Sequence, residues 1–457
     1  MPRRCLLIAG LSLAASIAVG AAAGDSLKDA EADAARGWRI LRTKAFVPAD
    51  FDQETFDSLW KTWPGPLRSQ AEKATAEERR KMSFARYGLV EAPDDIDRGG
   101  PGIGYVRDGD RGWAMSCLAC HAGKVAGRVV PGLPNSHYGL ATLVEDVRRT
   151  KLAQAKPLAH LDLAALKVPL GTTHGTTNSV MFGVILGALR EPDMTVNTLR
   201  APPKLLHHDM DAPPLWNLKK KRSLYVDGFA PKSHRPLMQF MLLPANDRET
   251  VYGWEDDFEA IFAWIESLEP PRYPWEIDDR LAAAGRAVFE RNCATCHGTY
   301  GDGGRYVQKT IPLAEIGTDP VRFRALAGYR EAMRKSWMSR YGEDPVEVEP
   351  VGYVAPPLDG VWATAPYFHN GSVPTLWHVL HPDERPAVWK RTEDGYDRAR
   401  GGLEITPLDA VPPTKAAAER RRFFDTGQPG KSAAGHDFPN ALTEPEKRAV
   451  LEYLKTL

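Results

Sequence analysis

Hydrophobic positions recur with helical spacing in two similar stretches, the first of which covers residues 257–268. Its apolar side chains fall on one face of a helix, and Pro270 and Pro271 end that helix. The last stretch of the chain repeats the pattern, with an apolar stripe over residues 450–457. Thr443 and Glu446 stand at the spacing of a capping box at its start. The sequence therefore predicts two related helices, each closing one half of the chain.

A third helix is predicted directly before residue 293, where Gly285, Phe289 and Cys293 recur every four residues on one face. The small glycine allows another helix to approach closely. No run of residues predicts a strand convincingly, and the region 298–364 reads as loop-rich. We therefore expect a mainly α fold with long ordered loops, and four further helices at residues 31–42, 76–86, 140–152 and 179–189.

Three prolines within residues 269–275 break the helical pattern and mark a boundary. The predicted division is an N-terminal region over 25–270 and a C-terminal domain over 276–457. Lys and Arg number 59, and Asp and Glu also number 59, so the chain has no positive field to hold a phosphate backbone. A nucleic-acid partner is therefore not expected.

Residues 1–24 have the features of an export signal: Arg3 and Arg4 precede an apolar run that ends in small residues. The run is too short for a comfortable membrane span, and no later segment approaches one. We expect a periplasmic or secreted protein without a membrane span. Removal of the signal would also remove Cys5.

The other four cysteines form two Cys-x-x-Cys-His motifs, whose members are Cys117, Cys120, His121, Cys293, Cys296 and His297. Two thiols three residues apart can add to the vinyl groups of one haem, and the adjacent histidine then reaches the iron. A zinc site or a redox dithiol would not require a histidine after both pairs. The sequence therefore predicts two covalently attached haem c groups.

The two motifs, together with the Ala-Pro-Tyr-Phe-His-Asn-Gly-Ser-Val-Pro-Thr-Leu run at residues 365–376, resemble the bacterial di-haem cytochrome c peroxidase superfamily. That superfamily includes the methylamine dehydrogenase maturation enzyme and the rubber oxygenases, and the chain is most similar to the rubber-oxygenase branch. The resemblance covers roughly residues 100–457. It implies two cytochrome c-like helical domains, each with one haem, of which the helix around Gly285 would begin the second.

The resemblance also directs the search for the sixth ligand of the second haem to the loop before the last helix, where His436 stands. The peroxidases place a methionine fourteen residues beyond the histidine of their Pro-Tyr-Phe-His motif, and here that position is Asp383. Ligation by His297 and His436 resembles the rubber-oxygenase arrangement and is the expectation. The alternatives are a structural role for His436 and ligation by His378 or His381. His369 is expected to be structural or close to a haem propionate.

At the first haem, His137 lies where resting peroxidases carry a displaceable distal histidine. The alternative is that His137 merely precedes the helix that begins near residue 140. Without a ligand from His137, the first iron would be open to peroxide or dioxygen.

The family's distal segment is weakly matched by residues 224–229, where Val226 replaces the tryptophan between the haems and Phe229 replaces an arginine. Trp216 is the nearest substitute for the electron relay, with ordinary core packing as the alternative. Gln239 and Glu249 fall roughly where the peroxidases hold their distal glutamine and glutamate, which makes them candidate catalytic residues. For Glu249, which lies in a polar run, a solvated surface residue is the alternative. The apolar neighbours of Gln239 would suit an organic substrate or core packing equally well.

Three functions follow as hypotheses. The first is an oxidoreductase that activates peroxide or dioxygen at the first haem, with the second haem as electron relay. Its partners would be the oxidant, an apolar organic substrate in the oxygenase case, and a small redox donor protein. The others are a non-catalytic electron-transfer cytochrome and a protein-modifying oxidase. The basic run at residues 219–222 would be a solvated loop, or face haem propionates or an acidic donor.

Overall fold

The computed structural model describes residues 29–94, 99–201, 206–339, 351–414 and 416–457, so the predicted export signal at 1–24 lies outside the described residues. The helices of the N-terminal half are α1 (29–43), α2 (Gln53–Ser58), α3 (Gly65–Lys73), α4 (Ala76–Tyr87), α5 (Leu118–His121), α6 (Leu140–Ala153), α7 (His160–Ala164), α8 (Ser179–Ala188), α9 (Arg248–Tyr252) and α10 (Glu255–Ser267). Those of the C-terminal half are α11 (Asp279–Asn292), α12 (Ala294–His297), α13 (Leu313–Ile316), α14 (Val321–Ala325), α15 (Ala327–Lys335), α16 (Leu376–Leu380), α17 (Ala417–Arg420) and α18 (Glu444–Leu454).

Strands are more frequent than the sequence pattern suggests. The described residues contain β1 (Tyr105–Arg107), β2 (Trp113–Met115), β3 (Ala122–Val125), β4 (Arg128–Pro131), β5 (Thr176–Thr177), β6 (Met210–Asp211), β7 (Ser223–Leu224), β8 (Ala230–Pro231), β9 (Thr310–Pro312), β10 (Gly352–Val354), β11 (Val388–Asp397), β12 (Gly402–Leu408) and β13 (Phe423–Asp425). They pair antiparallel in five two-stranded sheets and one three-stranded sheet of order β12-β11-β13.

The expectation of a mainly α fold is therefore wrong: the described chain is 44% helix and 13% strand, with several small sheets. Most of these strands are two to four residues long, too short to display an alternating pattern. The longer pair β11–β12 has a register irregularity between Arg391 and Tyr396, which breaks the alternation that would have revealed it.

All the helices predicted from periodicity are present, as α1, α4, α6, α8, α10, α11 and α18. The capping box at the start of α18 is confirmed, because the backbone amide of Thr443 donates to Glu446 at 2.9 Å. None of the helices within the described ranges is long and apolar enough to cross a membrane. The division at residues 269–275 stays a prediction.

Each half contains a pair of helices that cross at a glycine. A Cβ atom at Gly285 of α11 would lie 1.9 Å from the carbonyl oxygen of Ala449 in α18, so only glycine permits this crossing. The expected close approach is confirmed. The same relation holds in the N-terminal half, where a Cβ atom at Gly37 of α1 would lie 2.0 Å from the carbonyl oxygen of Ala260 in α10. Along the chain, the two helices of each crossing precede and follow one Cys-x-x-Cys-His motif.

Candidate haem sites

The first motif forms the short helix α5, whose last residue, His121, is half-buried. Its Nδ1 lies 3.1 Å from the carbonyl oxygen of Pro213, to which it can donate a hydrogen bond. Burial lowers the pKa of His121 to about 4, so the ring is neutral at pH 7. A neutral imidazole that donates from Nδ1 keeps the lone pair on Nε2, which is the atom that binds a metal.

The second motif repeats this arrangement. Helix α12 follows α11 directly, and the Nδ1 atom of His297 lies 3.0 Å from the carbonyl oxygen of Pro356. Burial also lowers the pKa of His297. The cysteines of both motifs are free thiols, so their sulfur atoms are available to attach a haem.

Both motifs open onto one cavity of about 510 Å³. Cys120 and His121 line it from the N-terminal half, and Cys293, Cys296 and His297 line it from the C-terminal half. The rest of the lining is largely apolar. Such a cavity suits flat, hydrophobic groups attached through thioether bonds, and the donor set fits haem c at both motifs.

The two proline carbonyls belong to identical Ala-Pro-Pro-Leu segments, at residues 212–215 and 355–358. These segments adjoin in space, because Asn217 donates from its side chain to the carbonyl of Pro357 at 3.0 Å. Sequence reasoning missed this repeat, although the four-residue identity was visible. The repeat sets the histidine orientation in each half and joins the halves beside the cavity.

Trp216 lies at this junction and is buried, with 1% of its surface exposed. Its Nε1 donates to the carbonyl of Asp359 at 2.8 Å, and it packs in a small cluster with Leu133 and Trp362. The residue thus spans the two segments that hold the motif histidines. This position is compatible with both the relay and the core packing that the sequence left open.

His436 faces His297 across the cavity. The two ring centroids are 6.2 Å apart, with an angle of 64° between the rings. Two imidazoles that bind opposite faces of one metal ion through bonds of about 2 Å also have ring centroids about 6 Å apart. Burial and the neighbouring His297 and Arg385 lower the pKa of His436 to about 3. Both rings are therefore neutral, as metal ligation requires.

The alternative ligands His378 and His381 are engaged elsewhere. His378 lies 2.7 Å through Nδ1 from the hydroxyl of Thr375, at the start of α16. His381 contacts the carboxylate of Glu444 at 2.9 Å through Nε2. Neither lines the cavity, whereas His369 does. Burial lowers the pKa of His369 to about 3.

His137 does not lie at the first motif. Its Nε2 lies 3.3 Å from the carbonyl oxygen of Thr392 in β11, and its Nδ1 lies 3.3 Å from the hydroxyl of Ser136. The residue is not part of the cavity lining. Within the described ranges, no second imidazole makes with His121 the ring contact that His436 makes with His297.

The two candidate catalytic residues are separated. Gln239 is fully buried behind the cavity wall, where its amide nitrogen donates to the Tyr225 hydroxyl and its amide oxygen accepts from Tyr329 at 3.0 Å. Tyr225 itself lines the cavity. Glu249 instead lies on the surface, with 72% of its side chain exposed and an ion pair to Arg248. Helix α9 turns this carboxylate into solvent, which agrees with the alternative that Glu249 is a solvated residue.

The basic run at residues 219–222 is partly paired with acidic residues, and one of these pairs, that of Lys220, joins the two halves. Lys219 binds Glu269 at 2.5 Å, and Lys220 binds Asp359 at 2.6 Å. Lys221 instead lines the cavity, and burial lowers its pKa to about 8. The run is therefore neither a simple solvated loop nor a continuous exposed patch.

Comparison with known proteins identifies cytochrome c-like sequence in the C-terminal half. Residues 352–390 match the family described as RoxA-like, cytochrome c-like, and residues 280–344 match the family described as cytochrome C oxidase, cbb3-type, subunit III. The matched residues include α11 except its first residue, the second Cys-x-x-Cys-His motif, and the Pro-Tyr-Phe-His-Asn-Gly run.

Two proteins of Sinorhizobium fredii (strain NBRC 101917 / NGR234) are similar to part of the chain. The uncharacterized protein y4iM is 30% identical over 256 residues, which are 50% of this chain and 56% of the relative. The uncharacterized protein y4iJ is 32% identical over 257 residues, which are 42% of this chain and 41% of the relative. The matched region thus spans about half the length of these curated relatives.

The family matches correct one further expectation. A cytochrome c-like domain was expected in each half, but the matches lie in the C-terminal half alone. The N-terminal half holds its Cys-x-x-Cys-His motif without such a match. Cytochrome c-type sequence implies covalently bound haem c and a haem-based electron-transfer or redox role. The matches at residues 280–344 and 352–390 show that this part of the chain is similar to c-type cytochromes.

Proposed function

We propose that the chain is a periplasmic or secreted di-haem oxidoreductase in which one haem site is open to peroxide or dioxygen and the other relays electrons. The observation that carries this proposal is the asymmetry of the cavity. His297 faces the ring of His436 at 6.2 Å, whereas His121 has no such partner within the described ranges. When bound, haem supplies electron transfer and, at an open iron position, reaction with peroxide or dioxygen.

At the second site, Cys293 and Cys296 would attach the haem, and His297 and His436 would hold its iron. The backbone amide of His436 donates to the carbonyl of Ile316 at 2.7 Å, which fixes the loop before α18. Two protein ligands leave no position for an external molecule. This arrangement suits a relay that changes charge with little rearrangement.

At the first site, Cys117 and Cys120 would attach the haem and His121 would hold it from one side. The cavity wall includes the apolar residues Val180, Leu237 and Phe240, and it suits a small oxidant or an apolar organic substrate. Tyr225 brings a hydroxyl to this wall, and Gln239 fixes its position from behind. In this proposal Gln239 is a positioning residue for the Tyr225 hydroxyl, which faces the cavity.

Electron transfer between the sites would pass the junction of the two Ala-Pro-Pro-Leu segments. Trp216 links these segments through its hydrogen bond to Asp359, and a small redox donor protein would supply electrons. The protein-modifying reaction is not favoured, since Val226 stands where that hypothesis needs an aromatic residue.

A non-catalytic electron carrier is the second candidate, and one observation favours it. Met210 also lines the cavity, and a thioether sulfur is an axial ligand in electron-transfer cytochromes. If Met210 closed the first site, neither iron would admit an oxidant.

Stopped-flow mixing of the reduced protein with hydrogen peroxide, and separately with dioxygen, tests the proposal. We expect rapid oxidation of the open haem with one oxidant, followed by oxidation of the relay haem. Met210→Leu should leave this rate unchanged. If the unaltered protein reacts no faster than a six-coordinate cytochrome and Met210→Leu gains reactivity, the protein is an electron carrier.

A further inference from the structure

Arg322 of α14 is a buried cation that faces the haem cavity. It is 1% exposed, and it is part of the cavity lining. Its Nε, Nη1 and Nη2 atoms are all buried without a hydrogen-bond partner among the described residues. Buried guanidinium groups are normally paired and hydrogen-bonded, so three unpartnered donors at a cavity wall indicate a missing anionic partner.

The nearest carboxylate does not satisfy Arg322. Asp227 approaches it at 3.6 Å, which is beyond hydrogen-bond distance. The other carboxylate oxygen of Asp227 already accepts from Arg330 at 2.7 Å. Two guanidinium groups thus share one carboxylate, which leaves one positive charge in excess.

The neighbouring histidines add no charge. Burial lowers the pKa of His208 to about 4 and that of His369 to about 3, with Arg322 as a further cause in each case. Both rings are therefore neutral at pH 7. The excess charge resides on Arg322, whose guanidinium remains protonated in proteins.

We propose that Arg322 binds a carboxylate of a haem propionate in this cavity. The inference rests on the proposed function, since the carboxylate belongs to a haem attached at one of the two motifs. The planar donor fork of arginine matches a carboxylate in two parallel hydrogen bonds. The propionate supplies the negative charge that Asp227 alone cannot provide.

The test compares Arg322→Gln with Arg330→Gln by resonance Raman spectroscopy and by redox titration. Arg322→Gln should shift a haem propionate bending band. It should also lower the midpoint potential of one haem, because an uncompensated carboxylate favours the ferric form. Arg330→Gln is the matched control, because Arg330 also pairs with Asp227 but does not line the cavity. It should leave the propionate band in place.

Arg322→Lys provides a second variant if Arg322→Gln fails to fold. Lysine keeps the charge but loses the two-pronged geometry, so the band should still shift while the potential changes less. Folded variants with unmoved bands and potentials would overturn the proposal.

Haem content separates this result from failure of the proposed function. Wild-type protein without two covalent haems would contradict the proposed function, whereas two haems with insensitive propionates would contradict only the role of Arg322. Addition of acetate tests whether the anion that binds Arg322 is a free carboxylate instead of a haem propionate. An acetate-dependent spectral change that Arg322→Gln abolishes would overturn the propionate assignment.

Discussion

His121 and His297 are oriented alike, but their surroundings differ. Each lies within hydrogen-bond distance of the carbonyl of the first proline in an Ala-Pro-Pro-Leu segment, at 3.1 Å and 3.0 Å. Each half also contains a glycine-mediated helix crossing, at Gly37 and at Gly285. Among the residues that the structure describes, a second histidine reaches the motif of the C-terminal half alone.

This difference arises in a loop, not in a helix or strand. His436 has a positive φ of 53° and stands between Gly435 and the start of α18. The N-terminal half carries no counterpart before α10, where residues 235–252 bring Gln239 behind the cavity wall and Glu249 to the surface. A shared framework can therefore support two different iron environments, because the distal group comes from a variable loop.

The largest expected difference between the two halves is in haem content after the attachment thiols of one motif are removed. The double variant Cys117→Ser/Cys120→Ser should lose one haem and keep the other, and Cys293→Ser/Cys296→Ser should do the reverse. Pyridine haemochrome assay and intact mass measure this directly. If the first double variant retained both haems, the N-terminal motif would not be an attachment site.

The axial position is tested by His436→Ala with His137→Ala as its matched control. His436→Ala should convert one low-spin haem to high-spin, since it removes the ring 6.2 Å from His297. His137→Ala should leave the spectrum unchanged, because that side chain contacts Thr392 outside the cavity. Electronic absorption and electron paramagnetic resonance spectra report the haem spin states of both variants. A spectral change with His137→Ala alone would reverse the assignment.

The helix crossings should be sensitive to small additions of volume. Gly37→Ala and Gly285→Ala place a methyl group against a backbone carbonyl, and overpacking of this kind costs about 1 to 3 kcal/mol. Gly65→Ala is the control, because a Cβ atom there meets no heavy atom within 4 Å. Denaturant unfolding of the haem-loaded protein gives the three values. A cost at Gly285 alone would show that the two crossings are not equivalent.

A comparison of Gln239→Leu with Glu249→Gln should show which of the two candidate catalytic residues in the N-terminal half affects turnover. The first variant leaves the buried hydroxyl of Tyr329 without its amide partner, which costs about 1 to 3 kcal/mol. We also expect slower oxidant turnover, because the Tyr225 hydroxyl loses the hydrogen bond from Gln239 and keeps only the one that it donates to the carbonyl of Pro236. Glu249→Gln should leave the turnover rate unchanged. Slower turnover in Glu249→Gln at normal stability would restore that residue as a proton shuttle.

The helices were predictable because their apolar periodicity is local. The residues from Glu255 to Ser267 and from Glu444 to Leu454 display it clearly, as does the face that contains Gly285. The small sheets were not predictable, since a pair such as Thr176–Thr177 and Met210–Asp211 is defined by its partner strand. The same applies to Arg322, whose unpartnered charge has meaning only beside the cavity.

Attachment residues could be identified from spacing, because the chemistry requires two thiols and a histidine within five positions. The placement of distal residues depends on tertiary packing. His137 and Glu249 stand at the sequence positions that the resemblance suggests, yet the first contacts β11 and the second faces solvent. Sequence distance from the motif therefore did not predict which side chains reach the cavity.

Carbon monoxide titration of the fully reduced protein tests the central asymmetry most directly. Carbon monoxide binds ferrous haem only at an open or weakly occupied position. The account predicts one carbon monoxide per chain that carries two haems, and two per chain in His436→Ala. No binding in the unaltered protein, or binding at both haems, would contradict it.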